Sequence, residues 1–331
     1  FGINSSNGLL FCFKCGDYIG DIELIMASML NKYWDDVSLK TVVPTMTQRD
    51  GLYGLLNMGS TCFMSSILQC LIRNPYVFHF SINHTHTKAC PIQDGSSCIS
   101  CALEEIVNEF YGSPRRLESG QRNTYAGFIG LLICSWKINE NLAGYSQQDA
   151  HEFWQFLLNQ IHNDHLICQN KEGKDDPHDA HLCDCIAHSA FQGFLKSSIV
   201  CPDCHSESRT TIDPFMDLSL NVKNKSTLYD CLDSFHKKEQ LHDYNYQCKT
   251  CNTSQDAIKQ LSIHKLAPIL VLQLKRFEHL LSGNSVKLNN FIGYPLYLNM
   301  KNYLDKQGEN GDTPDVIYEL IGIVSHRGTV N

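Results

Sequence analysis

Closely spaced cysteines are the residues of this sequence that most directly indicate chemistry. The chain has 331 residues and 16 cysteines, a lower share than in short disulfide scaffolds. A chain of this length can also bury a core without such staples. Four pairs have C-x-x-C spacing: Cys12/Cys15, Cys98/Cys101, Cys201/Cys204 and Cys248/Cys251. Two thiolates at this spacing can face one tetrahedral zinc ion, which then needs two more nitrogen or sulfur ligands.

The last two pairs together supply the four ligands of one zinc site. Cys201 and Cys204 surround Pro202-Asp203, and Cys248 and Cys251 surround Lys249-Thr250, which are turn sequences. We expect each pair on its own β-turn at the tip of a hairpin. The alternative is two redox pairs or buried free thiols, but a thioredoxin-type pair should open a helix after a strand.

The pair Cys98/Cys101 has candidate partners just upstream. Cys90 and His86 complete a site of one histidine and three cysteines, although spacing alone makes His84 nearly as good as His86.

A third group lies near the middle of the chain. Cys183, Cys185 and His188 offer three ligands within six residues. The spacing leaves the fourth ligand open among four histidines: His162, His165, His178 and His181. The pair Cys12/Cys15 resembles half a site, and we expect its other ligands to precede Phe1 in a longer protein.

Composition excludes several classes of protein. The net charge of −8 argues against a basic nucleic-acid-binding surface, and no apolar run approaches the length of a membrane span. Helical periodicity predicts helices over Thr61–Leu71, Cys101–Phe110, Tyr125–Trp136 and Gln147–Asn163, the last capped by Ser146. After Phe191 the pattern predicts strands over Ser197–Val200, Ile212–Leu220, Ile269–Phe277 and Tyr318–Ser325. Helices followed by strands indicate an α+β fold.

One cysteine stands apart from the pairs. Cys62 follows the turn Gly59-Ser60-Thr61 at the start of a predicted helix. Backbone N–H groups at a helix N-terminus stabilise an anion, and this is a common way to build a thiolate nucleophile. Asn57 can place its amide at the same spot, where an oxyanion would develop. The alternative is a small buried side chain.

Four segments, in order along the chain, resemble the motifs of the ubiquitin-specific proteases. Gly51–Gln69 resembles the Cys box of that family, and Gln147–Phe153 resembles its glutamine–aspartate helix start. Leu272–Phe277 is similar to a palm strand, and Tyr318–Gly328 to the lead-in of the His box. The resemblance implies a papain-like fold with a helical thumb, a β-rich palm and zinc-bearing fingers.

The resemblance also implies roles for individual residues. Cys62 would be the nucleophile and Asn57 the oxyanion-hole side chain of a thiol-dependent deubiquitinase, which hydrolyses the isopeptide bond between ubiquitin's C-terminal glycine and a lysine. Asp149, with Gln148, would bind the substrate near the ubiquitin tail. The family pattern favours His86 and His162 as the histidine ligands of the accessory zinc sites.

The resemblance further implies partners and a compartment. The implied substrate is ubiquitinated nucleosomal histone, and the implied partners are ubiquitin and the adaptor subunits of a SAGA-type deubiquitinating module in the nucleus. The implied organisation is a zinc-finger remnant at 1–30, a linker at 31–50 and a catalytic domain at 51–331. The family's general-base histidine would follow Asn331, so we expect the 331-residue chain to be C-terminally incomplete and inactive alone. The rival function is a non-catalytic scaffold that binds ubiquitin or an adaptor.

Overall fold

The computed structural model describes residues 2–3, 10–12, 17–18, 51, 54–111, 126–143, 146–169, 183–252, 254–279, 285–305 and 315–328. The chain divides into two units, residues 1–174 and 175–331. The predicted linker at 31–50 and the ligand candidates Cys15, His178 and His181 lie outside the described residues.

The N-terminal segment contains a small antiparallel sheet. Its strands are β1 (Gly2–Ile3), β2 (Leu10–Cys12) and β3 (Asp17–Tyr18), in the order β1-β2-β3. Cys12 is the last residue of β2, and the zinc-finger remnant expected at 1–30 stays a prediction. The domain boundaries at residues 30 and 50 stay predictions.

Six helices form the described part of the first unit. They are α1 (Cys62–Ile72), α2 (Pro75–Ile82), α3 (Thr85–Ala89), α4 (Ile99–Tyr111), α5 (Ala126–Ile138) and α6 (Ala150–Cys168). Each of the four predicted helices is present. The predicted cap of α6 was wrong, because the helix starts three residues later than expected. The carboxylate of Asp149, not Ser146, accepts the N–H groups of His151 and Glu152.

Helix α5 forms the centre of this unit. A helix that is apolar on every face must be buried, and ten of its thirteen residues are buried. Gly127 lets α5 approach α4 closely, because a Cβ at this position would lie 2.6 Å from the backbone nitrogen of Ile106. Any larger residue there would push the two helices apart.

The second unit is built mainly from β-strands. Its four-stranded antiparallel sheet has the order β5-β4-β8-β7. The strands are β4 (Gly193–Val200), β5 (Glu207–Phe215), β7 (Glu239–Gln247) and β8 (Ser254–Lys265). This sheet consists of two long hairpins side by side, because β4 pairs with both β5 and β8. The short helix α7 (Ile186–Phe191) precedes β4.

The predicted strand Ile212–Leu220 was wrong as a single element. The chain leaves β5 at Phe215 and enters β6 (Leu218–Asn221), which pairs in parallel with β9 (Leu272–Lys275). The predicted strand at Ile269 begins only at Leu272, and β10 (Phe277–His279) pairs with β11 (Ser285–Lys287). Periodicity could not show this change of partner, because all these segments have strand-like composition.

A separate core lies beneath this small parallel pair. Helix α8 (Leu228–Phe235) packs on β6, with Cys231 and Leu232 fully buried beside Leu220 and Met300. The strands β12 (Tyr297–Asn299) and β13 (Ile317–Glu319) pair at its edge. The predicted strand Tyr318–Ser325 is therefore shorter than expected and ends at Glu319. Among the described residues, no helix is long and apolar enough to cross a membrane.

The histidine after α8 should make the second unit sensitive to acid. His236 donates from Nδ1 to the carbonyl oxygen of Leu232, and its buried Nε2 has no hydrogen-bond partner. Burial lowers the pKa of His236 below its ordinary value of 6.5. A proton added to Nε2 would be buried without an acceptor, so stability should fall as the pH drops below about 6.5.

We therefore predict that His236→Phe destabilises α8 less at pH 5.5 than at pH 7.5, because the native histidine itself becomes unfavourable at the lower pH. Phenylalanine keeps the ring contact with Tyr303 but loses the bond to Leu232 at every pH. The measurement is hydrogen exchange of α8, corrected for intrinsic rates at each pH. The exposed residue His79 provides the control, since His79→Phe should not change how the exchange of α8 depends on pH. An equal effect of His236→Phe at both pH values would contradict the prediction.

Candidate active site and metal-binding sites

The turn before α1 presents Cys62 to solvent. Cys62 is the first residue of the helix and is exposed, whereas the next two residues, Phe63 and Met64, are buried. Gly59 has a φ of 100° and Ser60 a φ of 49°. A left-handed serine is uncommon, so the chain is bent sharply where the thiol emerges. An exposed thiol at a helix N-terminus is the arrangement expected of a nucleophile.

Asn57 is fixed by one end of its carboxamide. Its Oδ1 accepts from the N–H of Gly59 at 3.1 Å and from the hydroxyl of Thr61 at 3.4 Å. The hydroxyl of Thr61 in turn accepts from the N–H of Met58 at 3.0 Å. Because the oxygen faces these donors, the amide NH₂ of Asn57 is left as the group that can donate outward. A donor of this kind is what an oxyanion hole requires.

A surface cleft lies at the N-terminus of α6. Its volume is about 590 Å³, and its lining includes Gln148 and Asp149 together with Glu140, Glu152 and Phe156. Gln148 donates from Nε2 to the carbonyl oxygen of Asn141 at 2.9 Å. Three carboxylates around one cleft favour a basic group in a ligand. The structure thus places both predicted substrate-binding residues in one cleft of the first unit.

The predicted group of one histidine and three cysteines is assembled. The ligand atoms of His86, Cys90, Cys98 and Cys101 lie within 4.8 Å of one another, and all four residues are buried. His86 Nε2 lies 3.1 Å from the Cys98 sulfur, and the sulfurs of Cys90 and Cys98 are 3.9 Å apart. A hydrogen bond from Cys98 lowers the pKa of Cys101 to about 4, and the same contact raises the pKa of Cys98. This group can hold a metal ion.

The four-cysteine group lies at the tips of the two hairpins, as predicted. The Cys201 and Cys251 sulfurs are 3.7 Å apart, and those of Cys204 and Cys248 are 3.6 Å apart. All four ligand atoms lie within 4.8 Å of one another. The hydroxyl of Ser206, 3.4 Å from the Cys248 sulfur, lowers the pKa of Cys248 to about 5. This group also can hold a metal ion.

The two cysteine turns share one backbone geometry. In each turn, the residue after the second cysteine is left-handed, with a φ of 55° at His205 and 56° at Asn252. Each of these residues also donates its N–H to the carbonyl oxygen of the first cysteine, at 3.0 Å in both turns. The repeated geometry presents each pair of sulfurs on one side of its turn.

Three of the ligands predicted for the third site come together in the second unit. Cys183, Cys185 and His188 form a group within this unit, and the Cys185 sulfur lies 2.9 Å from His188 Nδ1. Burial raises the pKa of Cys185 to about 12. His162 and His165 lie on α6 in the first unit, so the choice of His162 as the fourth ligand stays a prediction.

Sequence reasoning missed several residues around these sites. Glu104 and Cys168 contact His86, and Asp164 contacts Ser100, which lies between Cys98 and Cys101. No spacing signal marks any of these residues, because they are brought to their positions by helix packing.

The fold and these groups define a class of protein: a thiol hydrolase built from a helical unit and a β-rich unit whose hairpin tips can hold a metal ion. Residues 53–331 match the family described as "Ubiquitin carboxyl-terminal hydrolase". The chain belongs to this family.

Named relatives and solved structures agree with this assignment. The chain is 60% identical to "Ubiquitin carboxyl-terminal hydrolase 8" of Saccharomyces cerevisiae, covering 100% of this chain and 72% of that protein. It is 31% identical to "Ubiquitin carboxyl-terminal hydrolase 22" of Homo sapiens, over 98% of this chain and 70% of that one. A solved structure described as the SAGA Ubp8/Sgf11/Sus1/Sgf73 DUB module bound to ubiquitin aldehyde matches with a TM-score of 0.78 and 61% identity, covering 100% of this chain and 71% of its counterpart. These matches confirm the predicted α+β fold and the predicted ubiquitin hydrolase activity.

The four-cysteine group yields a prediction about metal content. Cys248→Ser should remove about one equivalent of bound metal, because serine is a poor replacement for a thiolate ligand. Hydrogen exchange at residues 201–206 and 248–252 should rise, while α4 and α5 keep their protection. Elemental analysis and exchange mass spectrometry check both effects. Ser206→Ala is the matched control, since it keeps all four sulfurs and should keep the metal. Full metal content in the Cys248→Ser protein would contradict the assignment.

Proposed function

We propose that Cys62 is the nucleophile with which this deubiquitinase cleaves the isopeptide bond between ubiquitin's C-terminal glycine and a substrate lysine. The observation that carries the proposal is the exposed Cys62 thiol at the start of α1, next to a turn that leaves the Asn57 amide as a donor. Family membership supports the reaction class.

The chemistry follows from these groups. The Cys62 thiolate attacks the carbonyl carbon of ubiquitin's last residue, and the N–H of Cys62 and the amide of Asn57 donate to the oxyanion. The lysine amine leaves with a proton, a thioester remains on Cys62, and water hydrolyses it. A histidine base must accept the thiol proton and return it to the amine. We assign none of the described histidines to that role.

We further propose that Asp149 and Gln148 bind the ubiquitin tail. The cleft at the start of α6 is acidic, and Asp149 uses only one carboxylate oxygen, Oδ1, for capping the helix. Its other oxygen is available to a basic side chain of the ubiquitin tail.

We propose zinc as the metal of the cysteine and histidine groups. In a tetrahedral site with a zinc–sulfur distance of about 2.3 Å, sulfur atoms lie about 3.8 Å apart. The measured separations of 3.6, 3.7 and 3.9 Å fit this value, and sulfur and imidazole ligands suit zinc. The zinc would brace the fold and take no part in the reaction. The proposed ligands are His86, Cys90, Cys98, Cys101, His162, Cys183, Cys185, His188, Cys201, Cys204, Cys248 and Cys251, with Cys12 and Cys15 as half of a further site.

We also propose that the enzyme works in the nucleus within a SAGA-type deubiquitinating module and removes ubiquitin from histone. The support is the match to solved structures in which Ubp8 is assembled with Sgf11, Sus1 and Sgf73, and in which ubiquitin aldehyde or monoubiquitin is bound. The small N-terminal sheet would contact the adaptor subunits. The net charge of −8 disfavours direct binding of nucleic acid by this chain.

The nucleophile assignment predicts the outcome of Cys62→Ala. In the full-length protein this change should abolish release of ubiquitin and keep ubiquitin binding, because the small exposed side chain contributes little to the fold. Turnover of a fluorogenic ubiquitin substrate and a binding titration measure the two properties. Cys70→Ala, on the same helix, is the control and should remain active. Retained turnover in the Cys62→Ala protein would refute the assignment.

The oxyanion role predicts a different defect for Asn57→Ala. Loss of one oxyanion donor costs about 10²–10³ in kcat, whereas KM should change little because the contact forms in the transition state. Asn83, an exposed asparagine just after α2, gives the control change Asn83→Ala. A rise in KM with unchanged kcat would assign Asn57 to ground-state binding instead.

The rival function, a non-catalytic scaffold, can be distinguished from the enzyme by a reactive ubiquitin probe. A ubiquitin with an electrophilic C-terminus should label the native chain at Cys62 and should not label the Cys62→Ala chain. A scaffold would bind this ubiquitin without forming the covalent bond.

A further inference from the structure

A fifth cysteine lies against the group of His86 and its three cysteines. Cys168, the last residue of α6, has its sulfur 3.7 Å from His86 Nδ1. Its thiol also shares a hydrogen bond with Cys90, and the side chain packs on the cluster of Cys90, Cys98 and Cys101. Because the ligand set is complete without it, Cys168 needs a separate explanation.

The two nitrogens of the His86 ring face different partners. Nε2 lies 3.1 Å from the Cys98 sulfur, inside the ligand group, and Nδ1 faces Cys168. A histidine that binds metal through one nitrogen carries a proton on the other, and the acceptor of that proton fixes the ring. Cys168 is the side chain placed to accept from Nδ1.

The same helix supports the other end of the ligand group. Asp164 lies one turn before Cys168 and is buried, with 7% of its surface exposed. Its Oδ2 accepts from the N–H of Ser100 at 2.8 Å. Ser100 lies between Cys98 and Cys101 at the start of α4, so α6 contacts the first turn of α4 as well as the histidine ring.

A second buried carboxylate fixes the backbone of the histidine. Glu104, which is 1% exposed, accepts from the N–H of His86 at 2.7 Å and from the N–H of Thr87 at 3.0 Å. Within the described part of the chain, no lysine or arginine forms an ion pair with Glu104 or Asp164. Backbone N–H groups of His86, Thr87 and Ser100 satisfy these two buried carboxyl groups instead, which ties both of them to the backbone that carries the ligand set.

We propose that Cys168 is a positioning residue of the His86 metal site, accepting the Nδ1–H bond so that Nε2 faces the metal, while Asp164 on the same helix holds the first turn of α4, which carries Cys101. The inference rests on the metal-binding role proposed for this group and is independent of the catalytic assignment of Cys62.

The test uses the full chain loaded with ¹¹³Cd, whose resonance reports the ligand set of each site separately. Cys168→Ala should weaken cadmium binding at the site with three sulfurs and one nitrogen by about 10–100-fold, measured by competition with a chelator. Cys168→Ser should restore most of the affinity, because its hydroxyl oxygen can accept the same bond. Cys70→Ala, a half-buried helical cysteine away from the ligand group, should leave the affinity unchanged.

Two results would overturn the proposal through affinity. Native affinity in the Cys168→Ala chain would show that Cys168 does not support the site, and an equal loss in the serine and alanine variants would show a packing role only. A second measurement needs no variant. Coupling between ¹¹³Cd and ring ¹⁵N should appear at Nε2 of His86, and coupling at Nδ1 would refute the proposed orientation.

The native spectrum also separates this inference from the proposals above. A resonance from four sulfurs in place of the expected three would mean that Cys168 is itself a ligand, which overturns the positioning role. Absence of any resonance from this group would refute both the metal site and the inference, while labelling of Cys62 by the ubiquitin probe would be unaffected.

Discussion

The packing of α6 against α1 is the interaction on which the candidate active site depends. Phe153 on α6 meets Phe63 edge-on, with ring centroids 5.4 Å apart, and Phe63 directly follows Cys62. Such a pair contributes about 0.5–1.5 kcal/mol beyond its buried area. The contact fixes the first turn of α1, so the thiol is held at the surface by the burial of its neighbour.

The cysteine and histidine groups can hold the loops in place, as this aromatic packing holds the helices. The hairpin tips of the second unit are polar turns with little apolar surface to bury. Among the residues whose burial is described, the outer strands β5 and β7 are mostly exposed and the inner strands β4 and β8 mostly half-buried. Cys201 and Cys248 are nevertheless buried, each with 1% of its surface exposed. A bound ion can replace a hydrophobic core here, because its bonds to four thiolates contribute directly to the free energy of folding.

The sequence was most informative where one residue type has one use at a given spacing. The pairs around Cys201, Cys248 and Cys98 predicted their partners correctly, since four close sulfur or nitrogen ligands are rarely useful in any other way. It was less informative where a pattern has several outcomes. The strand-like run around Asp217 turns out to leave one sheet and enter another. Serine and aspartate cap helices about equally well, so the sequence could not show that Asp149, and not Ser146, caps α6. Glu104 and Asp164 have the composition of solvent-facing helix residues, and only the packing of α4 and α6 shows that both are buried.

One helix therefore connects two functions that the sequence presents separately. The first residue outside α6, Asp149, lines the acidic cleft, and Asp164 and Cys168 at its other end support the His86 group. Nineteen helical residues span about 28 Å, a distance over which an α-helix is stiff. Opening of the His86 group would free the end of α6 from these two contacts, while Phe153 would still hold its first turns on α1. The His86 group thus stabilises α6 from the end opposite to Asp149 and the acidic cleft.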